Sequence, residues 1–319
     1  TFNGNQLSTS VQDTGITVEG GAFVITRGGS YELKGDLSNG QIKVAVPKTE
    51  QVELIFNNFT ASCNTSAPLY IESADKATIV LAAGSVNTLT DATLYQFANP
   101  AEDKPNACIY SSDDMTIKGT GTLNVNGNYN NGIGCKYDLR IKDCTLNVTG
   151  VNNILKGNDS VEIENATVKL SGGEDAIKSD TADRTDKGYI LITAGSKVEI
   201  NCIDDAIQAT MSITVEAGCA ITGTCGGDVL NCPGTINADE GAMQRCMYYS
   251  SVLGIDIGMF YKRRNYSVII DGKNPIEAHE YLGRDVAGKD VMIIDDMISS
   301  GESVLDIGKK LKEQGAKRI

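Results

Sequence analysis

The sequence predicts two folds in one chain: an all-β, right-handed parallel β-helix (solenoid) over residues 1–237 and a truncated α/β domain over residues 239–319. The first part is rich in Gly, Asn, Thr and Ser and carries short alternating apolar runs such as Val52–Phe56, a pattern typical of β-strands separated by turns. It also repeats with a period of about 23 residues, which indicates a solenoid. The second part has helical periodicity and an apolar strand, Val291–Ile294, that leads into a phosphate-type loop.

The charge of the chain limits its partners. The 319 residues include 28 Lys and Arg against 41 Asp and Glu, a net charge of -13, and residues 1–238 carry 16 of the basic and 28 of the acidic residues. Such a surface repels nucleic acid and anionic membranes, and no run of about 18 apolar residues predicts a membrane span. If the first part meets an acidic polymer, a divalent cation should bridge the two, and calcium is the cofactor expected.

The repeat is visible as a series of apolar anchors that follow one another in steps of 21–24 residues. One step is 30 residues, and it becomes 22 when the polar insert Thr181–Gly188 is set aside. A second apolar run, such as Leu139–Ile141 or Val161–Ile163, follows each anchor at a similar distance, and these short β-rich units favour a parallel β-helix over a leucine-rich repeat. The anchors are Ile109, Ile133, Ile154, Ile177, Ile207 and Leu230.

A column of polar residues accompanies the anchors. Its predicted members are Asn131, Asn152, Asp175, Asp205 and Asp228, with Glu174 and Asp204 alongside. Adjacent coils of a β-helix lie about 4.8 Å apart, so carboxylates in one column repel one another unless a cation with many oxygen ligands, such as calcium, lies among them. The column therefore predicts a calcium site formed by Glu174, Asp175, Asp204, Asp205 and Asp228. The alternative is that Asn and Asp recur because they tolerate the left-handed backbone of turns.

Two smaller features leave alternatives open. Asp180, Asp183 and Asp186 surround Arg184 in the polar insert, and they are either a second calcium site or a solvated loop. Cys202 and Cys225 occupy one column in adjacent coils, where they either form a disulfide or remain small buried thiols.

Several stretches of the first part resemble a bacterial carbohydrate-binding β-helix family. The resemblance covers residues 1–235 and is carried by Ile25–Gly35, Gly40–Val44, Val52–Asn58 and Asp175–Asp180. Members are secreted, contain calcium, are similar in fold to pectate lyases and bind acidic plant polysaccharides or cellulose. The resemblance implies a polysaccharide partner such as pectin, an extracellular or cell-surface location, and binding rather than turnover. It places the metal on the column of Asp175, Asp205 and Asp228.

A calcium-dependent polysaccharide lyase is the enzymatic alternative for the same fold. Lyase chemistry requires a base that removes a proton beside a calcium-neutralised uronate carboxylate. Lys156, Lys178 and Arg184 are the bases available near the polar column, although lysines beside aspartates are more often their ion-pair partners. Tyr70 and Tyr110 are predicted in neighbouring coils, where their rings could contact a sugar.

The second part carries a specific loop, Asp295–Ser303, between a strand and the helical pattern Val304–Lys312. Backbone amides at a helix N-terminus hold phosphate, and two carboxylates at the end of a strand can accept ribose hydroxyls. Together with Asp239–Met243 and Tyr261–Arg264, this loop resembles bacterial ribose-phosphate pyrophosphokinases, which have the phosphoribosyltransferase fold.

That resemblance assigns roles to residues of the second part. It implies that Asp295 and Asp296 bind the ribose diol and that Asp239 and Gly241 open the diphosphate loop. Lys262 and Arg264 would be catalytic cations on a mobile loop that stabilise the transferred group. The 5-phosphate would be bound by Ser299, Ser300, Gly301, Glu302 and Ser303.

The two parts meet abruptly at Asn237–Ala238, where the pyrophosphokinases have Ser-Pro. The nucleotide-binding half of that enzyme has no counterpart in the sequence, so we expect weak affinity for ribose 5-phosphate without diphosphate transfer, and a magnesium requirement only in a complete domain. The second resemblance implies a cytoplasmic protein, which conflicts with the first. A fused or misassembled reading frame is the hypothesis that accounts for this conflict.

Overall fold

The chain forms two compact units, Thr1–Ile236 and Asn237–Ile319. The structure is a computed structural model that describes residues 1–10, 14–97, 99, 101, 103–232, 235–238, 259–264, 276–282, 286–291, 293 and 302–319. Across these residues the fold is nearly all β, with one helix.

The smaller of the two main sheets holds one stack of parallel strands, which we call face 1, preceded by an antiparallel pair of strands. Each strand of the stack pairs in parallel with the one before it. The ten strands are β3 (Ile16–Glu19), β4 (Ala22–Ile25), β6 (Gln41–Ala45), β8 (Leu69–Ser73), β11 (Ala107–Ser111), β14 (Asn131–Cys135), β17 (Leu155–Gly157), β20 (Ile177–Ser179), β23 (Ile207–Ala209) and β26 (Leu230–Asn231).

The larger sheet holds two further stacks, face 2 and face 3, joined at the N-terminal end by four strands. These four are β1 (Phe2–Asn3), β2 (Gln6–Leu7), β5 (Gly29–Leu37) and β7 (Gln51–Ser62). Face 2 consists of β9 (Lys76–Leu81), β12 (Met115–Lys118), β15 (Asp138–Lys142), β18 (Ser160–Glu164), β21 (Tyr189–Thr193), β24 (Ser212–Val215) and β27 (Thr235–Ala238). Face 3 consists of β10 (Val86–Thr90), β13 (Thr122–Asn126), β16 (Thr145–Gly150), β19 (Thr167–Gly172), β22 (Lys197–Asn201) and β25 (Ala220–Thr224).

The chain passes from face 1 to face 2 to face 3 and then returns to face 1 one coil later. Equivalent strands of successive coils pair in parallel and in register, as Leu139 pairs with Met115 on one side and Val161 on the other. This arrangement is consistent with the predicted parallel β-helix, and the predicted second strands are confirmed as members of face 2. The right-handed sense of the coils stays a prediction.

The core lies between the faces and follows from the alternation of side chains along each strand. On β21 and β22 every second residue is buried, so Ile190, Ile192, Val198 and Ile200 are at most 2% exposed. These aliphatic side chains belong to one continuous apolar cluster that runs the length of the first unit. Alternating apolar residues therefore place one side of each strand inside and the other in solvent.

The corner between face 2 and face 3 uses a left-handed residue in coil after coil. Asn58, Asp143, Asn165 and Ala194 have φ of 53°, 56°, 47° and 54°, and Gly84, Gly119 and Gly218 occupy the same corner with positive φ. Asn, Asp and Gly are the residues that adopt this conformation at lowest cost. The turn explanation for recurring Asn and Asp thus applies at this corner, which is separate from the predicted polar column.

The structure corrects the register of one coil. Leu155, rather than Ile154, pairs with Ile133 and with Ile177. Counting two residues back from each anchor, Asn153 rather than Asn152 joins the column of Asn131 and Asp175. Both Ile154 and Leu155 are fully buried, and two consecutive Asn precede them, so the periodicity of the sequence did not distinguish the two registers.

An aromatic cluster forms where face 3 returns to face 1, and we call Leu94, Tyr95, Phe97 and Tyr129 the aromatic corner. The Tyr95 and Tyr129 rings stack with centroids 4.1 Å apart and an interplanar angle of 14°. The Tyr95 hydroxyl donates to Asp91 Oδ2 at 2.7 Å, and the Asn128 amide donates to Asp91 Oδ1 at 2.6 Å. Burial raises the pKa of the Asp91 carboxyl despite these hydrogen bonds.

The described residues of the second unit hold little regular structure. The strands β28 (Met259–Arg264) and β29 (Ile276–Leu282) form an antiparallel pair, and one helix, α1 (Glu302–Glu313), confirms the predicted helical pattern. Of the predicted strand Val291–Ile294, Val291 and Ile293 are described and neither lies in a strand. The α/β phosphoribosyltransferase-like domain stays a prediction.

No helix within the described ranges is long and apolar enough to cross a membrane.

The core predicts the effect of replacing Ile117. This side chain is fully buried and pairs with Ile79 and Ile141, so Ile117→Ala should lower the free energy of unfolding by about 2–5 kcal/mol. Urea unfolding of the intact chain followed by circular dichroism measures this. The neighbouring exposed Lys118 is the control, and Lys118→Ala should change stability by at most about 0.5 kcal/mol. Equal effects would contradict the inward orientation of Ile117.

Asp91 predicts a dependence of stability on pH. Because its pKa in the folded state is raised above 3.8, the group contributes stability below that pH and loses it as pH rises through the folded pKa. Asp91→Asn keeps the acceptor for Asn128 and removes the buried charge. The stability of this variant relative to the wild type should therefore increase from pH 4 to pH 7 in urea titrations. If the free energy of unfolding of the variant relative to the wild type decreases from pH 4 to pH 7, the raised pKa of Asp91 is contradicted.

Candidate functional site

The outward positions of face 1 form one continuous row, which we call the face-1 row. Each member is the register partner of the next, from β6 to β26. Strand alternation aims these side chains away from the core because their neighbours, such as Leu155 and Ile177, are buried in it. The row consists of Lys43, Tyr70, Tyr110, Gly134, Lys156, Lys178, Gln208 and Asn231.

The first half of the row combines aromatic rings with cations. Tyr70 and Tyr110 lie in neighbouring coils, as the sequence predicts, with centroids 5.9 Å apart and planes tilted by 48°. Lys43 Nζ lies 5.9 Å from the Tyr70 centroid, and Lys104 Nζ lies 5.6 Å from that of Tyr110. A Cβ at Gly134 would lie 3.1 Å from Cδ2 of Tyr110, so glycine leaves room for this ring.

The second half of the row is polar and is held by acidic residues. Lys156 Nζ lies 2.6 Å from Asp180 Oδ2, and Lys178 Nζ donates to Asp175 Oδ2 at 2.9 Å. One coil later, Gln208 Nε2 and Asn231 Nδ2 donate to Asp205 Oδ2 at 3.0 and 2.6 Å. Lys156 and Lys178 remain about one quarter exposed, so their ammonium groups are accessible to a ligand.

The polar column lies beside this row and is largely buried. Asn131, Asn153, Asp175 and Asp205 are at most 5% exposed. Three of the four steps along the column are bridged by a backbone amide that donates to the side chain one coil earlier: Asn153 to Asn131 at 3.1 Å, Asp205 to Asp175 at 3.2 Å and Asp228 to Asp205 at 2.7 Å. At the middle of the column Asn153 Oδ1 lacks a hydrogen-bond partner among the described residues.

The buried carboxylates of the column already have protein partners, and the predicted calcium site stays a prediction. Both carboxylate oxygens of Asp175 accept from protein donors, the Asp205 amide and the Lys178 ammonium. Asp205 is likewise occupied by the Asp228 amide on Oδ1 and by Gln208 and Asn231 on Oδ2. A cation in the column would lie near the Lys178 ammonium, which already neutralises Asp175 and would repel it.

Three predicted ligands remain at the surface. Glu174, Asp204 and Asp228 are exposed, and we call them the acidic rim. The amide of Asp204 donates to the carbonyl of Glu174 at 2.8 Å, which fixes these two residues in neighbouring coils. In the part of the chain that the structure describes, no group of three or more His, Cys, Asp or Glu side chains is arranged to hold a metal ion. A calcium ion at the rim would therefore need further oxygen ligands from a bound molecule.

The polar insert is an ion-pair cluster around Lys187, a residue that the sequence did not single out. Lys187 Nζ lies 3.0 Å from Asp138 Oδ2 and 3.6 Å from Asp159 Oδ2. Burial alone would lower the pKa of Lys187, but the hydrogen bond and charge of Asp138 outweigh it and the pKa is raised. Arg184 pairs with Asp186 at 3.2 Å and lies 3.6 Å from Asp159. Of the three carboxylates predicted as a second calcium site, Asp186 is paired with Arg184 and Asp180 is paired with Lys156.

Cys202 and Cys225 are free thiols in adjacent coils, next to the paired residues Asn201 and Thr224. Burial raises the pKa of the Cys202 thiol to about 11. This thiol is therefore protonated and weakly nucleophilic at neutral pH.

Few of the predicted ribose-phosphate residues lie in described segments. Lys262 and Arg264 belong to β28, an antiparallel strand, where the resemblance implies a mobile loop. Glu302 and Ser303 begin α1, which places them at a helix N-terminus as expected. The others lie outside the described residues: Asp239, Gly241, Asp295, Asp296, Ser299, Ser300 and Gly301.

A family model described as carbohydrate-binding domain-containing protein matches residues 19–302. A carbohydrate-binding domain-containing protein of Acetivibrio thermocellus is 41% identical over 229 residues, which are 72% of this chain and 79% of that protein. Among solved structures, a gadolinium derivative of the polysaccharide lyase-like protein from C. thermocellum is similar with a TM-score of 0.72 and 40% identity. That match covers 75% of this chain and 96% of the other.

Shorter matches relate the chain to ribose-phosphate pyrophosphokinases. The enzyme of Ureaplasma parvum is 36% identical over 84 residues, which are 26% of this chain and 23% of that protein. The enzyme of Thermococcus kodakarensis is 35% identical over 81 residues, 25% of this chain and 26% of that protein. The chain thus spans about a quarter of the length of these relatives.

The hydrogen bonds of Asp205 predict a stability effect without any metal. Asp205→Ala removes the acceptor of three donors, so it should lower the stability of the C-terminal coils by about 1–3 kcal/mol in the presence of a chelator. Hydrogen exchange of the amides of residues 206–231 measures this locally. Asp204→Ala, at the exposed neighbour, is the matched control and should leave exchange unchanged. Equal protection in both variants would contradict the structural role of Asp205.

Proposed function

The chain belongs to the family of carbohydrate-binding domain-containing proteins, and from this premise we propose that it binds acidic polysaccharide such as pectin along the face-1 row. The observation that carries the proposal is the continuity of that row over eight register-paired positions. Because the coils are stacked in register, a linear polymer that runs along the stack can contact an equivalent side chain in successive coils. Cellulose is the uncharged alternative.

The chemistry of the row suits a chain of uronates. Tyr70 is half-buried and offers aromatic surface for the apolar face of a sugar ring, whereas Tyr110 is only 5% exposed and lies beside the Tyr70 ring. Lys156 and Lys178 offer ammonium groups in consecutive coils. Gln208 and Asn231 continue the row with amides, whose unused donors and acceptors can bind hydroxyls. Aromatic, cationic and amide groups in sequence support ring stacking, carboxylate binding and hydroxyl recognition along one track.

Calcium belongs to this proposal as a bridging ion at the acidic rim. Glu174, Asp204 and Asp228 are exposed in the coils of Lys178, Gln208 and Asn231, and an acidic polymer approaching them would be repelled. When bound, calcium would be coordinated by carboxylate oxygens of both the rim and the polymer, which would remove this repulsion. The protein residues hold and orient the polymer, and the ion supplies charge neutralisation.

The contacts of the candidate bases favour binding over lyase activity. Lys156 and Lys178 are paired with Asp180 and Asp175, and Arg184 is paired with Asp186. Each of these cations would have to leave its ion pair before it could act on a sugar as a base. We therefore propose a non-catalytic role at the cell surface or outside the cell, where such polysaccharides occur.

A second candidate function applies to residues 239–319 and rests on their identity with ribose-phosphate pyrophosphokinases. We propose that the segment around Asp295–Ser303 has weak affinity for ribose 5-phosphate without diphosphate transfer, because the chain spans about a quarter of those enzymes. Formation of phosphoribosyl diphosphate from ATP and ribose 5-phosphate by the intact chain would refute this.

Calorimetric titration of the intact chain with polygalacturonate, with calcium and then with chelator, tests the main proposal. Lys178→Gln should weaken binding about tenfold, the loss of ~1.4 kcal/mol. Glutamine at this position can donate to Asp175 as Gln208 does to Asp205 one coil later, so the fold should be retained. Lys118→Gln on face 2 is the matched control and should leave affinity unchanged. The chelator should reduce affinity if the rim holds calcium.

Binding that is equally strong in both variants would remove the face-1 row from the proposal. Binding that is indifferent to calcium and chelator would remove the acidic rim and leave the row. Absence of heat under every condition would exclude polygalacturonate as the ligand.

A further inference from the structure

Face 3 carries a second exposed surface whose chemistry differs from that of the face-1 row. Its outward side chains are hydroxyls and amides over several coils, and a shallow depression of about 480 Å³ lies among them. We call this the face-3 depression. Its polar lining includes Thr88, Asn124, Asn126, Asn147, Thr149 and Ser171.

The amides of the depression are ordered by contacts between coils. Asn147 Nδ2 donates to Asn124 Oδ1 at 2.8 Å, and Asn126 Nδ2 donates to Thr90 Oγ1 at 2.9 Å. A side-chain amide has two N–H donors and an oxygen with two acceptor positions, so one such bond leaves most of its capacity unused. The remaining groups are held in fixed positions at the spacing of the coils, which suits a ligand with many hydroxyl groups.

The depression has little charge, although the chain carries a net charge of -13. Lys169 is the charged residue of its lining, and its ammonium lies 2.8 Å from Glu199 Oε2. An acidic polymer would find here no cation comparable to the consecutive lysines of the face-1 row. An uncharged ligand incurs a smaller desolvation cost at such a surface than a charged one does.

The aromatic corner continues this surface toward face 1. Asn128 Nδ2 donates to the carbonyl of Asn126, which joins the depression to the adjacent Tyr129. Tyr129 stacks on Tyr95, Phe97 lies edge-on to Tyr129 with centroids 6.4 Å apart, and Leu94 is 72% exposed. Phe97 and Tyr129 are half-buried, so part of each ring is accessible, and aromatic surface beside ordered polar groups is the composition of small-ligand sites.

We propose that the face-3 depression and the aromatic corner form a second saccharide site, which takes an uncharged polysaccharide while the face-1 row holds an acidic one. The protein then acts as a non-covalent cross-link between two kinds of polymer. The rings of Phe97 and Tyr129 contact the apolar face of a sugar, and the amides of Asn126 and Asn147 bind its hydroxyls. This inference rests on the proposed function of the face-1 row.

The test measures whether the intact chain retains fluorescent polygalacturonate on an insoluble uncharged polysaccharide, with β-1,4-glucan and galactomannan beads as probes. The wild type should retain the label on at least one bead type, and beads without protein should not. Asn147→Leu and Phe97→Ala should each reduce binding to the beads about tenfold and leave polygalacturonate affinity in solution unchanged. Asn201→Leu, on the same face outside the depression, is the matched control.

The outcomes separate this inference from the proposed function. The Lys178→Gln variant should still bind the beads but should no longer retain labelled polygalacturonate on them. The Asn147→Leu variant should bind polygalacturonate in solution but lose binding to the beads. If neither bead binds while polygalacturonate does, the second site is overturned and the proposed function stands. If polygalacturonate displaces the protein from the beads, or Asn147→Leu and Asn201→Leu act equally, the two polymers do not occupy separate sites and the inference fails. If no polymer binds, both proposals fail.

Discussion

The backbone hydrogen bonds between equivalent residues of successive coils align the outward side chains of the strands in the first unit. A coil has no core of its own and buries its apolar side chains only against the side chains of the other faces and neighbouring coils. Because Ile133, Leu155 and Ile177 are held in one register, Gly134, Lys156 and Lys178 are also held in line. The rows on the outside are therefore a direct result of packing on the inside.

The acidic column shows how the fold accommodates buried carboxylates. Asp175 and Asp205 each accept hydrogen bonds from a backbone amide of the next coil and from a side chain three residues further along the chain. The first contact holds two coils together, and the second orients a member of the face-1 row. Removing an acid would thus affect the scaffold and the surface together, which separates these residues from the exposed Glu174 and Asp204 beside them.

The sequence predicted the features that recur in every coil, and it was less informative about features that depend on individual side-chain contacts. Apolar anchors and second strands were predictable because inward positions must be apolar in every coil, while the choice between Ile154 and Leu155 was not, since both are buried. The pairing of Asp175 with Lys178 depends on side-chain direction, which the spacing alone leaves open. The aromatic corner was missed because Tyr95 and Tyr129 are separated along the chain and meet only through an insertion.

The two insertions leave the strand register intact on either side. Before the Thr181–Gly188 insert Ser179 pairs with Ala209, and after it Tyr189 pairs with Ser212, so the seven residues by which this corner is longer than the next one change neither sheet. The segment that includes Leu94 and Phe97 is accommodated in the same way between β10 and β11. Corners can therefore lengthen and diversify without repacking the interior. Such a scaffold is evolvable in a modular sense: selection can add recognition loops at its edges while the interior sequence stays under a separate constraint.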